Sequence, residues 1–154
     1  MISKQAKYAL RALIGLARAE PGRAVLTADL AAQQRIPKKF LEQILLLLKR
    51  SGMVQSRRGA LGGYVLIKPP QDISFLDVLR LVDGPIAPLP CLSITAYRRC
   101  IDCPDEESCE MRQAFQKVTE ATRRVLEGTT IADALAAGDA DKGERLRHFA
   151  VGER

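Results

Sequence analysis

Apolar residues recur at helical spacing from the start of the chain. Ala6, Leu10, Leu13, Leu16 and Ala17 share one face, and Ser3 stands ahead of them as a cap. Glu20-Pro21-Gly22 ends this predicted helix. Thr27 is placed to cap a short second helix over "ADLAAQQ", with Asp29 in its first turn, where an acid suits the helix dipole. Gln34-Arg35-Ile36 makes a tight connection, and Pro37 sits where a first helical residue belongs. The helix "PKKFLEQILLLLKRS" then turns Phe40, Leu41, Ile44, Leu45 and Leu48 toward a core, and Gly52 stops it. Two short helices joined by about three residues form a helix-turn-helix pattern.

After Gly52 the period shortens. "MVQSR" alternates as a strand, "RGALGG" turns, and "YVLI" returns, so a β-hairpin follows the helix-turn-helix directly, as a wing does. A fourth helix is predicted over Ser74 to Asp83, with Ser74 and Asp77 as a capping pair and Gly84 as its stop. "PIAPLPCLSITAYRRCIDC" reads as loop, and Pro104 opens a long helix to about Glu127. Along that helix Met111, Phe115, Val118, Thr122 and Val125 make a heptad-like seam, which predicts a dimer helix. A short helix "IADALAAG" and a polar tail complete the chain. The pattern predicts a mainly α protein with a small β-hairpin wing. Its parts are a winged helix-turn-helix domain over 1–84, a cysteine-bearing loop over 85–103, a dimerisation helix and short terminal helix over 104–137, and a flexible tail over 138–154.

Composition narrows the function. Of 154 residues, 47% are hydrophobic and 27% charged, which suits an ordinary globular domain. Aromatics are only 5%, with no Trp, which argues against a stacking platform for single strands. The longest apolar run, Ile44 to Leu48, is far short of the roughly 20 residues a bilayer needs. Arg11 and Arg18 interrupt the first apolar stretch, so it reads as a helix and not as a signal peptide. These features predict a cytoplasmic protein with no membrane partner.

The net charge is +6, and residues 33–68 alone carry +7. In that block Arg35, Lys38, Lys39, Lys49, Arg50, Arg57, Arg58 and Lys68 face one acid, Glu42. Such a block on a compact domain points to a polyanion, usually nucleic acid, and with the helix-turn-helix and wing the expected partner is double-stranded DNA. A recognition helix sets its first turns against base edges, which selects Lys38, Lys39, Glu42 and Gln43. Gln pairs with adenine, Glu accepts from cytosine, and Lys suits guanine or phosphate. Arg57 and Arg58 at the wing tip suit phosphates or the minor groove, with Gly62 and Gly63 permitting close approach.

All four cysteines fall in one segment. Cys91, Cys100, Cys103 and Cys109 are separated by eight, two and five residues. Reduced thiols clustered this way suit zinc, an iron–sulfur cluster or a thiol–disulfide switch. The two-residue gap lets Cys100 and Cys103 face one ion. A thiol enzyme is disfavoured because no His lies near the cysteines to act as a base. "GALGG" is no nucleotide loop, since neither a helix nor Lys-Ser/Thr follows it directly. No catalytic residue is assigned.

"KYALRALIGLA", "IPKKFLEQIL" and "GMVQSRRGALGGYVL" together resemble the Rrf-type winged-helix transcription regulators over about Met1 to Gly138. The resemblance implies a homodimer, joined through the helix over 104–127, that binds a near-palindromic operator, usually as a repressor. It implies that Lys39 and Glu42 face bases and that Arg58 enters the minor groove. It also implies an iron–sulfur cluster, 2Fe–2S or 4Fe–4S, on the cysteine loop. Cys103 and Cys109 keep the family's five-residue spacing and Cys91 matches the first ligand, with a longer gap. Relatives use a histidine just past the third cysteine, or an acid near the N-terminus. Here Met111 and Arg112 follow Cys109, Lys7 stands near the N-terminus, and the single histidine is His148. Cys100 is therefore the expected fourth ligand.

Overall fold

A computed structural model describes residues 2–59 and 62–139. Helix α1 spans Lys4–Ala17, and the Ser3 hydroxyl accepts from the Ala6 N–H at 3.0 Å. Its buried face includes Ala6, Leu10, Leu13 and Leu16 of the predicted stripe and adds Ala9 and Ala12, while Ala17 is half-buried. Helix α2 spans Thr27–Gln34 and α3 spans Lys38–Arg50. Their caps differ from expectation. Thr27 is already helical, with Leu26 at the N-cap, and Pro37 is the N-cap of α3, not its first residue.

The α2–α3 turn is closed by backbone alone. The Ile36 N–H donates to the Ala31 carbonyl at 2.9 Å and the Arg35 N–H to Ala32 at 3.2 Å. This double closure requires a left-handed residue, and Arg35 supplies it with φ 50° and ψ 48°. A side chain there costs about 1 kcal/mol relative to glycine. Ile36 drops into the core beside the turn. On α3, Leu41, Ile44, Leu45 and Leu48 are fully buried, but Phe40 is 52% exposed. Phe40 lies at the flank of the stripe, where its ring meets Tyr8 of α1 edge-on at 6.5 Å. It seals the α1–α3 seam and does not fill the core.

The wing is an antiparallel pair, β1 (Val54–Arg57) and β2 (Gly63–Leu66), in register from Val54 opposite Leu66 to Arg57 opposite Gly63. On its other edge β2 pairs with Val25, which trades backbone hydrogen bonds with Tyr64 at 2.8 and 2.9 Å. The wing is thereby rooted in the α1–α2 connection. Helix α4 spans Phe75–Asp83; the Ser74 hydroxyl accepts from the Asp77 N–H at 3.1 Å, and Gly84 ends it.

The long helix α5 runs from Glu110 to Gly128. Pro104 does not open it. The Asp105 carboxylate accepts from the N–H groups of Glu107 at 3.2 Å and Ser108 at 3.0 Å, which closes a local turn. That turn competes with the helix, so the cysteine loop extends to Cys109. After α5 the chain returns to the core. The Phe75 N–H donates to Thr129 at 2.8 Å and the Ile131 N–H to Ile73 at 3.0 Å, and Ile131 is fully buried. A last helix, α6 over 131–139, starts with Thr130 and Asp133 bonded to each other as a capping pair. Most of the tail expected to be flexible, and His148 within it, lies outside the described residues.

Candidate nucleic-acid interface and cysteine loop

Lys38, Lys39, Glu42 and Gln43 sit on the first turns of α3 and are all exposed. The core residues Leu41, Ile44 and Leu45 alternate with them, so burial of one face fixes the other outward. None of these cations, nor Glu42, is in a salt bridge among the described residues. Arg57 ends β1 and Arg58 follows it, both exposed. The Lys49 ammonium donates to the Ser56 hydroxyl at 2.7 Å and bridges α3 to β1. The result is an exposed basic surface formed by one helix and one hairpin.

Gly62 and Gly63 serve the chain's own packing. A Cβ on Gly63, at φ 133°, would lie 2.1 Å from the Val25 carbonyl oxygen. A Cβ on Gly62 would lie 2.7 Å from the carbonyls of Arg57 and Gly59. Both glycines let the hairpin close on itself and on Val25.

The cysteine loop, 84–109, joins α4 to α5. At its start, Asp83 holds the N-terminus of α1, accepting from the Ser3 N–H at 2.9 Å and from the Ser3 hydroxyl. At its end it is fastened to the first turns of α5. Gln113 Nε2 donates to the Glu107 carbonyl at 2.8 Å, Arg112 lies 3.8 Å from Glu106, and the Tyr97 hydroxyl donates to Glu106 at 2.6 Å. That hydrogen bond to Glu106 raises the Tyr97 pKa. Cys91 is buried in a short 3-10 helix, Pro90–Leu92, that packs on α5.

Cys100, Cys103 and Cys109 are half-buried, and Cys103 lies under the influence of the other two. Hydrogen bonding to Cys109, then burial, then the nearby Cys109 and Cys100 sulfurs push the Cys103 thiol up to about 12. Cys103 therefore keeps its proton. Cys109 moves the other way. Backbone N–H of Arg112 lowers its pKa first, followed by the Cys103 thiol, the Met111 N–H and the Arg112 charge. Cys109 is the N-cap of α5, and although its sulfur makes no full capping bond, the helix start favours its thiolate.

Cys103 with Cys109 and Cys100 beside it makes a soft-donor set that suits zinc or an iron–sulfur cluster by chemistry. Arg112 adds a second observation, because its Nε is buried with no hydrogen-bond partner one turn from Cys109. An anionic group among the thiols would answer that donor. The full ligand set is not drawn together, since among the described residues no three Cys, His, Asp or Glu side chains converge to hold one ion. The spacing of the cysteines shows neither the burial of Cys91 nor the role of Arg112. Nor does the sequence signal the left-handed turn at Arg35, where glycine or asparagine would be the ordinary residue.

Against this geometry the comparisons are consistent. Residues 2–137 match the Rrf2 family, described as iron-dependent transcriptional regulators. A Rhodobacter capsulatus protein named as an rrf2-like HTH-type transcriptional regulator is 45% identical over 142 residues, covering 90% of this chain and 95% of that one. CymR of Bacillus subtilis, named as an HTH-type transcriptional regulator, is 30% identical over 92% of this chain and 94% of its own. Its solved structure, that of the global cysteine regulator, superposes with a TM-score of 0.74 at 28% identity, covering 89% of this chain and 97% of that one. The T. potens IscR structure superposes with a TM-score of 0.70 at 26% identity, covering 90% and 88%. These relatives are regulators and not enzymes, and no helix among the described residues is long and apolar enough to cross a membrane. Fold, surface and relatives converge, and the chain belongs to the Rrf2 family of DNA-binding winged-helix transcription regulators.

Proposed function

We propose that this regulator is a homodimeric, cytoplasmic repressor whose operator affinity is set by an iron–sulfur cluster on its cysteine loop. In this reading Lys39, Glu42 and Gln43 face bases, Lys38 and Arg57 meet phosphates, and Arg58 enters the minor groove beside the Gly62-Gly63 turn. The dimer forms through the apolar stripe of α5, where Met111, Val118 and Val125 are more than half exposed. A helix with no buried residue of its own is marginal alone, and a second copy would cover it.

The observation that carries the sensing part is Cys103 lying beside both Cys109 and Cys100, on a loop bound to the start of α5. These three thiols would hold the cluster, with Cys91 as the fourth ligand. When bound, a cluster supplies an anionic, redox-active centre. The rest is done by the chain. Cys109 is predisposed to its thiolate, and Arg112 offsets the charge. Cys91 sits on the Pro90–Leu92 turn, and that turn packs on α5. The loop therefore couples ligation to the helix that positions both DNA-binding heads.

The Cys103–Cys109 contact favours a second reading, in which the same loop is a thiol–disulfide switch; zinc in place of the cluster is the structural variant. Anaerobic purification with iron, sulfide and zinc analysis and a visible spectrum separates them. Iron and acid-labile sulfide with a coloured band are expected. A colourless protein with one zinc per chain overturns the sensor, and metal-free protein that forms the Cys103–Cys109 bond moves the function to the disulfide.

A further inference from the structure

Arg35 is the one non-glycine residue with positive φ among the described residues. Its backbone closes the α2–α3 turn without help from its side chain. The side chain is exposed and joins no salt bridge among the described residues. Glycine would make this turn without strain. The fold thus gains nothing visible from the guanidinium and bears a conformational cost for carrying it.

The position supplies the reason. Arg35 lies two residues before the N-cap of α3, so its charge continues the Lys38–Lys39 run along the leading edge of the recognition helix. A phosphate strand bordering the major groove passes such an edge, and guanidinium matches phosphate oxygens in a fork. We propose that Arg35 is a phosphate clamp of the helix-turn-helix, a positioning residue that fixes the register of α3 on the duplex and carries no base preference of its own. This rests on the family's DNA binding and deepens it.

The test sets stability against affinity. Arg35→Gly should raise the melting temperature by about 2–4 °C, because the strain is relieved. The same variant should bind a mixed-sequence duplex of about 30 base pairs roughly 5–10-fold more weakly near 0.1 M salt, with the salt slope reduced by about one. Arg35→Lys should keep most of that slope while keeping the strained turn. Wild-type slope and affinity in Arg35→Gly would overturn the clamp. A lowered melting temperature with unchanged binding would also overturn it, and would assign the guanidinium to the C-terminal dipole of α2. If wild-type protein bound no duplex at low salt, the DNA reading itself would fail, which is a different result from either.

Discussion

The head and the α5 arm are built on opposite principles. The head, α1 to α4 with the wing, closes around Leu13, Leu30, Leu41, Ile44, Leu45 and Leu48, all fully buried. The arm, from the cysteine loop through α5, has no buried residue in its helix and is joined to its loop by polar contacts and by the packed Pro90–Leu92 turn. Hydrophobic burial gives the head a single arrangement. Hydrogen bonds on an exposed surface, each contributing about 1 kcal/mol net, leave the arm free to be rearranged by what binds it. A regulator needs both: a rigid surface to read DNA and a responsive one to read a signal.

The contrast can be broken at several strengths. Gly63→Ala should have the largest effect, because the new Cβ meets the Val25 carbonyl oxygen and the wing loses its root. About 4 kcal/mol of lost stability by chemical denaturation is expected, with the hairpin released first in hydrogen exchange. Leu45→Ala should cost about 3 kcal/mol by cavity formation in the head. Val118→Glu should show the opposite pattern, since the side chain is more than half exposed. Sedimentation should find a monomer whose head unfolds within about 0.5 kcal/mol of the wild-type head. A dimer that survives this change would move the interface off α5.

Thiol chemistry sharpens the arm. In metal-free protein, iodoacetamide should alkylate Cys109 at least about 10-fold faster than Cys103 at neutral pH. The sign follows from the shifts. A lowered pKa places the midpoint of the Cys109 rate below the ordinary thiol range, whereas Cys103 gains its thiolate only as pH rises toward about 12. Equal rates by mass spectrometry would dissolve the pairing. Smallest of all, Ser74→Ala should remove the cap of α4 and lower stability by about 1 kcal/mol, without changing oligomeric state.

Much of the head was legible because its periods are clean. The α1 stripe, the α3 face from Leu41 to Leu48 and the change to period two after Gly52 each name their element. What failed was competition between local signals. Pro104 signals a helix start, but Asp105 next to it makes its own turn and delays α5 to Glu110. Thr27 is a good cap by type, yet the chain enters α2 one residue earlier, at Leu26. Phe40 is as apolar as its neighbours, and only the position of Tyr8 makes it a flank residue. The packing duty of the wing glycines is hidden in the sequence, because the Val25–Tyr64 pairing joins residues far apart in it. The cysteines are visible as a group, but no spacing reveals that Cys91 is buried while Cys100, Cys103 and Cys109 are half-buried.

The return of the chain at Thr129–Ile131 has a mechanical meaning. Those backbone bonds pin one end of α5 to the head, and the cysteines occupy the other. A 19-residue helix is about 28 Å long, so a pivot of roughly 5° at the pinned end swings the cysteine end by about 2.5 Å. In the proposed dimer such a swing changes the angle between the two heads more than the shape of either. Two intact reading surfaces can then be brought onto half-sites about 34 Å apart, or carried out of step with them, by a change confined to one loop.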